Sequence, residues 1–156
     1  MLLWKKTDRD EEGEMSQYTN DYFPEAAVRH FVDGKILQEA NRADNAMCHY
    51  AFSAECAMKA IYEQICANRG YRLNHNVEEA WRDMQQYHTA LQILDAKAGT
   101  LLGGRRIPEA LFDGHPGRRY ARDKGYTEEQ VQESGQFAEF LVRKLVSEVL
   151  DGTMQS

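Results

Sequence analysis

A chain of 156 residues and 18.0 kDa has room for one domain. That length can bury roughly two-thirds of its unfolded surface, so folding needs neither metal nor disulfide. Hydrophobic residues at 42% and charged residues at 28% exclude wholesale disorder. A net charge of -6 and an isoelectric point near 5.4 exclude a uniformly basic coat for nucleic acid, while leaving room for a local basic patch.

Residues 1–20 read as a flexible leader, with Asp8, Asp10, Glu11, Glu12 and Glu14 close together and little apolar periodicity. Nothing in the chain approaches membrane-spanning length and no secretory signal is visible, which points to a soluble, cytoplasmic protein with no membrane partner. The bundle proper is expected over residues 21–152. A first helix starts near Pro24, a residue suited to a position whose N–H has no partner, with Asp21 available as cap. Val28, Phe31, Val32 and Leu37 give it one apolar side, and Gly34 weakens its middle by about 1 kcal/mol relative to alanine.

After a short link at Asn41 and Arg42 comes the strongest helical signal, Ala43 to Ala67. Ala43, Met47, Tyr50, Ala54, Ala57, Met58, Ile61 and Ile65 fall at three- and four-residue spacings, one stripe on a helix about 37 Å long. Phe52 and Cys56 lie on the opposite face among Asn45, His49 and Glu63. A helix apolar on two sides is either central to its bundle or half of an interface, and in the second case His49, Phe52 and Cys56 mark a dimer contact. Cys48, Cys56 and Cys66 share this helix. The outer two are about 27 Å apart and Cys56 points about 80° away from both, so they cannot bridge or share a zinc ion. Buried thiols in a reducing compartment are the expectation, with no metal and no cofactor.

A third helix is expected from a capping pattern at Asn76 to Glu79 through to about Lys97, with His75 orienting its start and Gly99 stopping it. Residues 99–126 are rich in glycine and hold Pro108 and Pro116. Only Pro108 to Asp113 reads as a short helical turn, and a loop this long inside a compact domain is usually functional. The last helix opens at Thr127 with Gln130 three residues on, and carries Val131, Phe137, Leu141, Leu145, Val149 and Leu150 towards Gly152. The expected fold is all-α, an antiparallel bundle of four to five helices.

The long loop holds Arg105, Arg106, Arg118, Arg119, Arg122 and Lys124 against Glu109, Asp113 and Asp123, a local charge of +3 that leaves -9 on the rest of the chain. A guanidinium presents a planar donor fork suited to phosphate, which makes Arg105, Arg106, Arg118, Arg119 and Arg122, with His115, candidate ligands for RNA or a nucleotide phosphate. The competing expectation is that these arginines pair with the acidic body and close the loop over the bundle. Tyr120 beside Arg119 is either a stacking platform for a base or a seal at the bundle end. Glu55 and Lys59, four apart, form either a surface ion pair or a pair facing a site.

The run from Asn41 to Ile61, with Ser53 or Ala54, Glu55, Ala57, Lys59 and Ala60 in an Ala-x-Glu-x-Ala-x-Lys-Ala pattern, resembles the second helix of the HEPN family (higher eukaryotes and prokaryotes nucleotide-binding). His75-Asn76-Val77 is similar to the start of that family's third helix, and Arg119-Tyr120 to a pair before its last helix. The resemblance covers about residues 24–150. It implies a homodimeric bundle of the prokaryotic defence or toxin–antitoxin repertoire, and in many members a metal-independent ribonuclease with an Arg-x(4–6)-His motif. Arginine there stabilises the phosphorane while histidine moves protons and the RNA's own 2′-OH attacks. Arg82 and His88 have that spacing, on the third helix rather than near the last, and six residues on a regular helix separate them by about 120° and about 9 Å. Arg119 and Tyr120 are the alternative catalytic pair. The other class of function this sequence supports is a non-catalytic interaction module that dimerises and holds a protein partner encoded nearby.

Overall fold

The computed structural model describes residues 22–69, 86–98 and 101–150. Every regular element among them is helical: α1 over Phe23–Glu39, α2 over Ala43–Arg69, α3 over Tyr87–Ala98, a short 3-10 helix over Gly117–Tyr120, and α4 over Glu128–Leu150. The leader, the start of the third helix with His75 and Arg82, and the Gly99 stop lie outside the described residues.

α1 opens with proline in its first turn, as its missing N–H requires. Tyr22 stands at the N-cap without a side-chain capping bond, and Asp21 lies outside the described residues. Asn41 turns the chain with φ 62°, a left-handed conformation that asparagine tolerates better than most residues. The turn sends α2 back antiparallel along α1, so His30 meets His49 and the Ser53 hydroxyl donates to the Ala27 carbonyl at 2.7 Å.

That pairing corrects the expected face of α1 in part, since Phe31 and Leu37 of that face do pack against the core. The helix buries Ala27 and Gly34, while Val28, Val32 and Ile36 are 39, 46 and 59% exposed. Two small residues let the helices approach closely, and this approach, rather than a valine stripe, sets which side of α1 faces inward. Gly34 is needed for the same reason. A Cβ there would stand 2.6 Å from Tyr50 Cε1, and one at Gly135 of α4 would stand 2.8 Å from Tyr50 Cζ. The Tyr50 ring is wedged between backbones of two helices, and its hydroxyl donates to Gln38 Oε1. Burial, with Glu39 and Glu139 near, pushes its pKa up to about 12.

α2 is the centre of the molecule. It packs against α1, α3, α4 and the 3-10 helix, and Met47, Tyr50, Ala54, Ala57, Met58 and Ile61 of its expected stripe are all buried. α4 adds Val131, Phe137, Leu141 and Leu145. Its start is a reciprocal capping box: Gln130 N–H donates to Thr127 Oγ1 at 3.1 Å and Thr127 N–H to Gln130 Oε1 at 2.9 Å. No helix among the described residues is long and apolar enough to cross a membrane.

Candidate functional site

The 101–126 segment is held to the bundle by two residues that the sequence places among phosphate ligands. Arg118 is buried. It donates to the Met47 carbonyl at 2.9 Å, to the Ala110 carbonyl at 3.1 Å, to the Leu111 carbonyl and to the Tyr126 hydroxyl at 3.0 Å. Its positive charge is dispersed over backbone oxygens, the arrangement a desolvated guanidinium requires. Gly114 makes room for it: a Cβ there would sit 3.3 Å from Arg118 Cβ, on a backbone whose φ of 70° already favours glycine.

His115 is the second anchor. Its ring is buried against Phe52 (edge-on, centroids 4.5 Å apart) and Tyr87 (4.9 Å), and Nε2 lies 2.7 Å from Glu55 Oε1. Burial pushes the Glu55 carboxyl up, but the His115 hydrogen bond and the Lys59 ammonium outweigh it and hold the group below its ordinary range. An ionised carboxylate only accepts, so a proton sits on His115 Nε2, while Nδ1 is buried with no hydrogen-bond partner among the described residues. Lys59 contacts the other Glu55 oxygen at 2.7 Å. Glu55 is therefore a half-buried bridge between its own helix and the loop, more than a simple surface pair. Tyr87 also rises to about 12, by burial first and the Glu55 charge second.

The remaining loop cations divide. Lys124 pairs with Asp113 at 3.0 Å, and its backbone N–H donates to Asp44 at 2.7 Å. The Asp113 carboxyl is held down by the Lys124 hydrogen bond. Arg105, Arg106, Arg119 and Arg122 are exposed and form no ion pair among the described residues. Arg105 lies over the Phe140 ring at 4.4 Å. Arg105 and Arg106 line a cleft of about 410 Å³ together with His88, Gln92, Asp95 and Glu109. Asp95 turns its carboxylate to the Leu102 N–H at 2.8 Å, which leaves Glu109 as the competing anion in that cleft. A neighbouring cleft of about 370 Å³ shares Arg105, Arg106 and Glu109 but adds Glu133, and is less suited to an anion. His88 thus shares a cleft with two of the loop's guanidiniums, Arg105 and Arg106, while its sequence partner Arg82 lies outside the described residues.

Arg119 takes a different place. Its carbon Cζ lies 5.7 Å from the centre of the Phe52 ring and 4.6 Å from that of Tyr120, with Nη1 donating to the Pro116 carbonyl at 2.6 Å. Tyr120 is 80% exposed, which removes the bundle-end seal as its role. Phe52 also stacks on His30 (5.3 Å, 27°), and His30 meets His49 at 5.3 Å. The result is a ladder running Tyr120, Arg119, Phe52, His30, His49, from the loop to α2, across to α1 and back to α2. His49 and Phe52, expected at a dimer contact with Cys56, here face α1 and the loop of their own chain; Cys56 is half-buried. His30 is the residue sequence reasoning missed. Its signal was available in the hairpin register, which sets residue 30 opposite residues 49 to 52.

Among the described residues no group of three or more histidine, cysteine, aspartate and glutamate side chains is arranged to hold a metal ion. Comparisons of the chain with protein-family models, with curated proteins and with solved structures returned no match.

Proposed function

We propose that the protein is a HEPN-like homodimer that binds RNA or a nucleotide phosphate through its arginine loop and cleaves RNA without a metal, within a defence or toxin–antitoxin system. The observation that carries this reading is the cleft in which His88 stands with Arg105 and Arg106. Two guanidiniums offer paired donors to a phosphodiester, and an imidazole in the same cleft supplies a group able to move the 2′-OH proton. The Arg119 and Tyr120 end of the ladder supports a single-stranded ligand, since every base presents a face that stacks on an aromatic ring or a guanidinium. Both features leave the buried Arg118 and His115 as positioning residues that fix the loop.

The test is binding of a labelled single-stranded RNA at 50 and 200 mM salt, followed by incubation of the complex in EDTA. Binding is expected to weaken steeply with salt, and Arg106→Ala to weaken it across sequences while lowering the salt slope by about 1. His88→Ala is expected to leave binding in place and abolish cleavage. Intact RNA after incubation with the wild-type protein overturns the catalytic part; binding indifferent to both salt and Arg106 overturns the whole.

A second reading, a non-catalytic module that dimerises or holds a protein partner encoded nearby, is favoured by the exposed row of Val28, Val32 and Ile36 on α1. Association through that row is expected to be insensitive to salt and to be lost in Val32→Asp, which separates it from phosphate binding.

A further inference from the structure

His30 of α1 and His49 of α2 turn the same nitrogen towards each other, with Nδ1 to Nδ1 at 3.1 Å. Both rings are half-buried, and His30 is positioned from outside the pair by stacking on Phe52. Two imidazole nitrogens at ~2.0–2.1 Å from one ion lie about 3.3 Å apart at a tetrahedral angle and about 2.9 Å apart at a right angle. The observed separation falls between the two. We propose that His30 and His49 form a bidentate site for a late first-row divalent ion, zinc(II), nickel(II) or copper(II), that clamps α1 to α2.

In the ion-free protein one Nδ1–H donates to the other Nδ1. Binding requires the donor ring to carry its proton on Nε2 instead, so that both Nδ1 lone pairs face the ion; no proton is lost overall. With two protein ligands, the other positions belong to water, and the ion exchanges freely. Imidazole donors select against magnesium and favour copper over nickel and zinc. The site shares no residue with the His88 cleft and stands whether or not the protein binds RNA.

The experiment is thermal unfolding and isothermal calorimetry of the full chain with each ion. Zinc, nickel and copper at on the order of 100 times Kd are expected to raise Tm by several degrees, with one ion per chain and no effect of magnesium. His30→Asn and His49→Gln are each expected to remove the shift. In the wild-type protein, nickel is expected to broaden the NMR signals of two imidazoles before any others, a readout that holds even if a variant fails to fold. The proposal is overturned by absence of binding at about 1 mM ion, by a shift that survives in the double variant, or by broadening centred elsewhere.

Discussion

Tyr50 illustrates how a single ring sets the identity of its neighbours. Two helices approach it at Gly34 and Gly135, and at each a methyl group would overlap the ring. Gly135→Ala therefore sets a helix-propensity gain of about 1 kcal/mol against an overpacking cost of about 1–3 kcal/mol. Urea unfolding is expected to show a net loss of stability. The same substitution in a Tyr50→Ala background is expected to cost nothing or to stabilise, because the steric conflict is gone. The chain offers no such hint at Gly34, where a mid-helix glycine reads as a weak point until its neighbour across the hairpin is known.

Neighbouring residues with opposite fates mark the limit of reading elements from sequence. Arg118 and Arg119 are adjacent and chemically identical, yet one is buried on carbonyls and the other lies on rings at the surface. What separates them is Met47, 71 positions away, and no local pattern reports that distance. The capping box of α4 and the stripe of α2 were legible because their partners lie within one turn of helix or one face. α1 was half legible: spacing identified the helix, but valines at four-residue intervals look alike whether covered or bare. Arg118→Met removes donors from buried carbonyls and is expected to cost about 3 kcal/mol, with cleavage of the 101–126 segment in limited proteolysis before the helices. Arg119→Met, by contrast, is expected to leave stability within about 0.5 kcal/mol of wild type.

Across the whole molecule, His30, Glu55 and Asp113 each make stability fall towards acid. His30 titrates below the 6.5 of an unfolded histidine, so the unfolded chain binds the extra proton first, and stability declines as the pH drops from 6.5 through the lower folded value. Glu55 titrates below 4.5; its contribution is complete above that pH and is lost as the pH falls through its folded value. Unfolding midpoints measured from pH 8 to pH 3 are expected to show both limbs. His30→Asn is expected to flatten the upper limb, and Glu55→Gln to flatten the lower one, where the wild-type protein loses its strap to His115.

Two of the loop's moorings thus answer differently to acid. A carboxylate lets go when it takes up a proton, whereas a guanidinium keeps its charge at every pH a cell can reach. Strong acid would accordingly loosen the His115 corner while the Arg118 corner stayed fast.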